Sequence, residues 1–117
     1  MKGLIIEQSL ADRIALQSVE ITNTESWRAE NAAPYQPFSW TALSFRADDK
    51  QADQVAGILK KALKKGWYIN ASTSLHVYVI FPDRIFKYIR GDMRGRKNAK
   101  EYGRRLGIPE SQLDWSE

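Results

Sequence analysis

The densest set of side chains able to do chemistry lies between residues 90 and 104. Arg90, Arg94, Arg96 and Lys97 surround Gly91 and Gly95, and Lys100 and Arg104 follow at helical spacing. A glycine-containing turn ahead of a helix aims backbone N–H groups at an anion, and the helix dipole adds to the attraction. These six cations are therefore the candidate anion or nucleic-acid site. A solvated, purely structural loop is the plainer account of the same residues. A second group is aromatic. Trp67, His76 and Tyr78 sit on neighbouring strand-like segments and make the alternative candidate, a small-molecule pocket. On a strand His76 can act as a general base only if a carboxylate orients it, and a lone histidine there is more often packed. Asp48, Asp49 and Asp53 have the composition of a cation site, but a helix cap accounts for them more simply.

Several chemistries are excluded outright. The chain has no cysteine and one histidine among its 117 residues. Disulfides, iron–sulfur clusters, thiolate zinc sites and cysteine nucleophiles are thus ruled out, and no metal or cofactor is expected. Phosphate-binding glycine loops, zinc-protease helices and nucleophile elbows are missing as patterns. Arg90-Gly91-Asp92 matches the adhesion tripeptide in letters only.

Charge is unevenly laid out. Residues 1–49 carry four Lys/Arg against seven Asp/Glu, residues 50–105 carry fourteen against four, and residues 106–117 carry three acids and no base. A middle block of net +10 between acidic ends attracts nucleic acid or an acidic protein. It is equally what a lysine-rich surface helix leaves in solvent.

The elements that must position these groups follow from periodicity. Gly3–Gln8 is a short apolar strand. Asp12 caps a possible turn of helix. Gln17–Thr24 alternates as a half-buried strand with Val19 and Ile21 inward, and Trp27 extends it. Ala29–Pro37, with two prolines, is the one long loop, the sole candidate for a mobile one. Phe38–Ala47 is a strand apolar on both faces, so it is either covered twice or shows Trp40 on an open aromatic surface. Asp48 and Gln51 form a capping box ahead of a helix near 50–65, with Ala52, Val55, Ala56, Leu59, Ala62 and Leu63 on one stripe. Lys60, Lys61, Lys64 and Lys65 sit where a helix C-terminus favours cations, and Gly66 stops it. Trp67–Asn70, Leu75–Phe81 and Arg84–Ile89 are strands, and Arg96–Leu106 is a helix ended by Gly107 and Pro109. Hairpin-length connections make the pairing mostly antiparallel. The fold expected is α+β, a single domain over 1–117. It is a two-layer sandwich with five or six strands and both helices on one face. No run of 18 apolar residues exists, and the first apolar run is too short for a signal peptide, so a cytoplasmic soluble protein without membrane contact is expected.

The tail Lys100–Trp115 is similar to the turn of transposase-type helix-turn-helix domains, in which a helix ends in Gly-Ile and the next carries a late Leu and Trp. Its second helix would hold Glu110 and Asp114 and no cation, a poor surface for phosphates. Taken with Lys2–Leu10, Trp67-Tyr68, the Leu75–Phe86 hairpin and the Leu106-Gly107-Ile108-Pro109-Glu110 tail, the chain resembles a family of small prokaryotic proteins of about this length and of unknown function. That resemblance implies a single domain and no particular chemistry. Leu113 and Trp115, in an acidic stretch, are expected to pack on the body, with Asp114 or Glu117 beside the basic block. The expected function is a non-enzymatic interaction domain whose basic stretch, residues 50–105, contacts an acidic partner or nucleic acid. The alternative is a small-molecule-binding protein or minor enzyme using Trp67, His76 and Tyr78.

Overall fold

A computed structural model describes all residues, 1–117. Its elements are β1 (Lys2–Ile6), β2 (Glu20–Arg28), β3 (Ser39–Arg46), α1 (Ala52–Ala62), β4 (Ile69–Ser72), β5 (His76–Ile80), β6 (Ile85–Ile89) and α2 (Met93–Arg105). The strands form one antiparallel sheet in the order β2-β3-β1-β4-β5-β6. The α+β class and the antiparallel pairing are as the sequence leads one to expect. No helix is long and apolar enough to cross a membrane.

Register assigns every strand residue to a face, because residues directly opposite on paired strands share one. Ile5 pairs with Leu43, Ile69 with Ile80, and Tyr78 with Lys87. This face is covered by α1, whose Val55, Ala56 and Leu59 are at most 3% exposed and join Ile5, Phe45, Ile69 and Ile80 in one core. Val77 pairs with Tyr88 and Val79 with Phe86 on the other face. There α2 and the tail enclose Val77, Val79 and Phe81 with Ala99, Ile108, Leu113 and Trp115. The two helices thus lie on opposite faces, which corrects the expectation of a shared one. The cause is β5, which is apolar on both sides and buried on both sides, as a central strand covered twice must be.

Three boundaries also differ. The Gln17–Thr24 strand begins only at Glu20, after a 3-10 turn over Arg13–Ser18 capped by Asp12, and runs to Arg28. It is exposed along its whole length because it is the sheet edge. Helix α1 stops at Ala62 rather than at Gly66: Leu63 turns extended and bridges Leu10, and the Lys64 N–H donates to the Ser9 carbonyl. Helix α2 starts three residues early, at Met93, because Asp92 caps it by accepting from the Arg94 and Gly95 N–H groups. Its end matches expectation. Gly107 takes a φ of +83°, and the Ile108 N–H reaches back to the Gly103 carbonyl.

After Pro109 the chain makes one 3-10 turn, Glu110–Gln112, and then lies along the sheet. There is no second helix, so the likeness to a helix-turn-helix stops at the turn. Leu113 and Trp115 are buried, as expected, and their apolar surface decides the path.

Candidate functional site

Between the tail and the β2–β3 hairpin, the α2 side of the sheet is left open as a cleft of about 610 Å³. That is within the roughly 300–1,000 Å³ usual for small-molecule sites. Strands β1 and β4 make the floor, and their register orders it. Lys2 lies level with Ser72, Leu4 with Asn70, and Ile6 and Tyr68 come two residues further along. One wall is the tail, from Ser111 to Glu117, and the other is Trp27–Ala29 with Asn31.

All four tryptophans of the chain, Trp27, Trp40, Trp67 and Trp115, line this one cleft. Trp27 and Trp40 are cross-strand partners at the ends of β2 and β3. The Trp40 ring packs on Trp67 with centroids 5.1 Å apart, and Tyr68 meets Trp115 edge-on at 5.5 Å. Three of the indole N–H groups are satisfied within the protein: Trp27 donates to Glu25, Trp40 to the Pro37 carbonyl, and Trp115 to the Tyr88 hydroxyl. Their roles at the cleft are therefore those of apolar ring surfaces. On the floor, Lys2, Asn70 and Ser72 make no side-chain hydrogen bond or ion pair inside the protein.

The walls are held by a polar network that the sequence reading missed. The Gln36 and Gln112 side chains exchange amide hydrogen bonds at 3.2 and 2.7 Å, and Gln112 also donates to the Asn31 carbonyl. The Tyr68 hydroxyl donates to the Gln112 carbonyl, and the Tyr35 hydroxyl to the Gly66 carbonyl. The long Ala29–Pro37 loop is thus tied to the tail and to the turn before β4. Burial first, and then the nearby Asp114 charge, pushes the Tyr68 hydroxyl well above the ordinary tyrosine range. Tyr88, pushed up to about 12 chiefly by burial, donates to Glu117 and accepts from Trp115. No sequence signal marks Gln36 or Gln112, since amides carry neither charge nor periodicity.

The residues singled out from sequence are dispersed. Trp67 lines the cleft. His76 and Tyr78 do not, because they point to the α1 side of the sheet. There the Tyr78 hydroxyl donates to Asp53 at 2.5 Å, and Lys87 donates to the same carboxylate oxygen at 3.0 Å. No carboxylate pairs with the His76 imidazole, and a catalytic dyad is not formed. Asp48 caps the turn before α1, while Asp49 accepts from the Ser74 N–H and the Met1 amine. No group of three acids or histidines converges as a metal site would require.

The six candidate cations separate into two sets. The N–H groups at the start of α2, expected to face an anion, are taken by Asp92. Arg90 donates to the Thr73 carbonyl, Arg96 to Glu117 and to the Trp115 carbonyl, and Arg104 to Glu110. Arg94, Lys97 and Lys100 have no acidic partner. The Lys60–Lys65 cluster belongs to the opposite side of the sheet, with α1. The basic block is therefore continuous in sequence but not on the surface.

No family model matches the chain, and no curated protein or solved structure matches it.

Proposed function

We propose that the protein binds a small organic molecule in the cleft over β1 and β4, without any covalent chemistry. The observation that carries this reading is the convergence of all four tryptophans on one concavity whose floor keeps three polar side chains unpartnered. Aromatic walls with a few convergent polar groups are the usual make-up of a ligand site. The pocket imagined around Trp67, His76 and Tyr78 thus keeps Trp67 and exchanges the other two for Lys2, Asn70, Trp27 and Trp40. The acidic-partner or nucleic-acid reading has less to stand on, since half of its cations are spent on internal carboxylates and carbonyls.

Tryptophan emission is the direct reporter, because every fluorophore of that type lines the site. A metabolite panel is expected to contain compounds that shift both the emission and the melting temperature, the latter by mass action on the folded state. Ser72→Trp, which fills the floor from a half-buried strand position, is expected to abolish the response. A response that persists undiminished in this variant rules out the cleft.

A further inference from the structure

The cleft has a direction. Lys2 and Ile6 are four residue steps apart along β1, which at roughly 3.3 Å per residue is about 13 Å. At the Ile6 end stand Tyr68, Trp67, Trp40 and, across from Trp40, Trp27. At the other end stand Lys2 and Ser72, with Arg46 beside Lys2 on β3. Arg46 is matched by Glu20 through two hydrogen bonds, at 2.7 and 3.2 Å. The side walls balance each other, Arg28 on one and Asp114 on the other, and the Glu117 side chain is already matched by Arg96. Lys2 is left as the one floor charge without a counter-ion. Asn70 lies between the two ends and offers an amide donor and acceptor to whatever spans them.

We propose that the ligand is an amphipathic organic anion, its flat aromatic body against the tryptophan end and its anionic head on the Lys2 ammonium. This rests on the cleft being the binding site and adds the ligand's charge and its orientation. The ring faces supply stacking, which is indifferent to the substituents at the ring edge. The ammonium supplies a charge-assisted hydrogen bond that a neutral ligand cannot use.

The test uses two dyes with the same aromatic body. Anilinonaphthalene sulfonate is anionic, and phenylnaphthylamine lacks the sulfonate. The full chain is expected to bind one sulfonate dye saturably and more tightly than the neutral amine. Lys2→Gln is expected to weaken the sulfonate on the order of tenfold and to leave the amine unchanged. Lys61→Gln, an exposed cation on α1 at the other side of the sheet, is expected to change neither. Raising the ionic strength is expected to weaken the sulfonate alone, which checks the charge term without any substitution. Equal affinity for the two dyes, or a loss of sulfonate binding in Lys61→Gln as large as in Lys2→Gln, overturns the anion assignment and leaves the cleft reading intact. Undiminished binding of both dyes to Trp27→Ala overturns the cleft itself. Circular dichroism of each variant, matched to the parent, establishes that the fold is retained.

Discussion

Glu117 shows how a single residue can hold an element. Its carboxylate accepts from the Gly91 N–H at 3.0 Å, Arg96 at 2.9 Å and the Tyr88 hydroxyl at 2.9 Å. Burial opposes its charge, but those three donors outweigh burial and hold its carboxyl below the ordinary glutamate value. A carboxyl lowered in the folded state contributes stability that is complete above its unfolded pKa, about 4.3. That contribution is lost as pH falls through the lower folded value. Glu117→Gln is therefore expected to lower the melting temperature at neutral pH and to flatten its fall below about pH 4. Parallel melting curves for parent and variant at every pH would show that the carboxyl titrates alike in both states. Asp92 does similar work one turn away. The glycines and arginines around it spell an anion site, and that pattern is legible in the sequence. The sequence also leads one to expect an acid of the tail beside these cations, as Glu117 is beside Arg96; what it does not reveal is that Asp92 occupies the N–H groups at the start of α2.

The tail, 109–117, is the element that turns an open sheet face into a cleft. It is anchored through apolar burial of Leu113, 1% exposed, and Trp115, 4% exposed. Gly103 leaves the room: a side-chain carbon there would lie 2.7 Å from the Leu113 methyl. Burying two such side chains contributes roughly 1.5–3 kcal/mol each. Deleting 109–117 is expected to lower the melting temperature by several degrees at least, since about 1 kcal/mol moves a domain of this size by roughly 4–8 °C. It should also shift the averaged tryptophan emission to the red, because the deletion removes Trp115, the most buried of the four tryptophans. An unchanged melting temperature would mean that the tail does not hold the fold. The late Leu and Trp announced a packed tail from sequence alone. Its amide network was not legible, because Gln36 and Gln112 are 76 residues apart and only the sheet brings them together.

At the scale of the whole molecule the sheet separates two cores. Leu59 on α1 belongs to one and Leu113 in the tail to the other. Each change to alanine is expected to cost about 2–5 kcal/mol. Because the sheet lies between the sites, the double variant is expected to equal the sum of the singles to within about 0.5 kcal/mol. Chemical denaturation of the four proteins checks this. A coupling well beyond that margin would show that the cores communicate through β5.

The division between what was and was not legible follows from the range of the interactions. Strands, helices, caps and the Gly107 stop depend on neighbours a few residues away, so periodicity and turn chemistry determine them. The apolar run Leu75–Phe81 even carries the information that both faces of its strand are covered, which is incompatible with both helices on one side. The site depends on contacts far apart in sequence. Strand order β2-β3-β1-β4-β5-β6 places residue 2 beside residue 72, and sets tryptophans from positions 27 to 115 around one space. The parity of the pleat then decides that Asn70 and Ser72 face that space while His76 and Tyr78 face the other way; Trp67, of the same parity as Tyr78, reaches it only from beyond the end of β4, beside Trp40. A change of one residue in register would reverse that assignment, and no local signal fixes register between strands that meet only after the chain has folded.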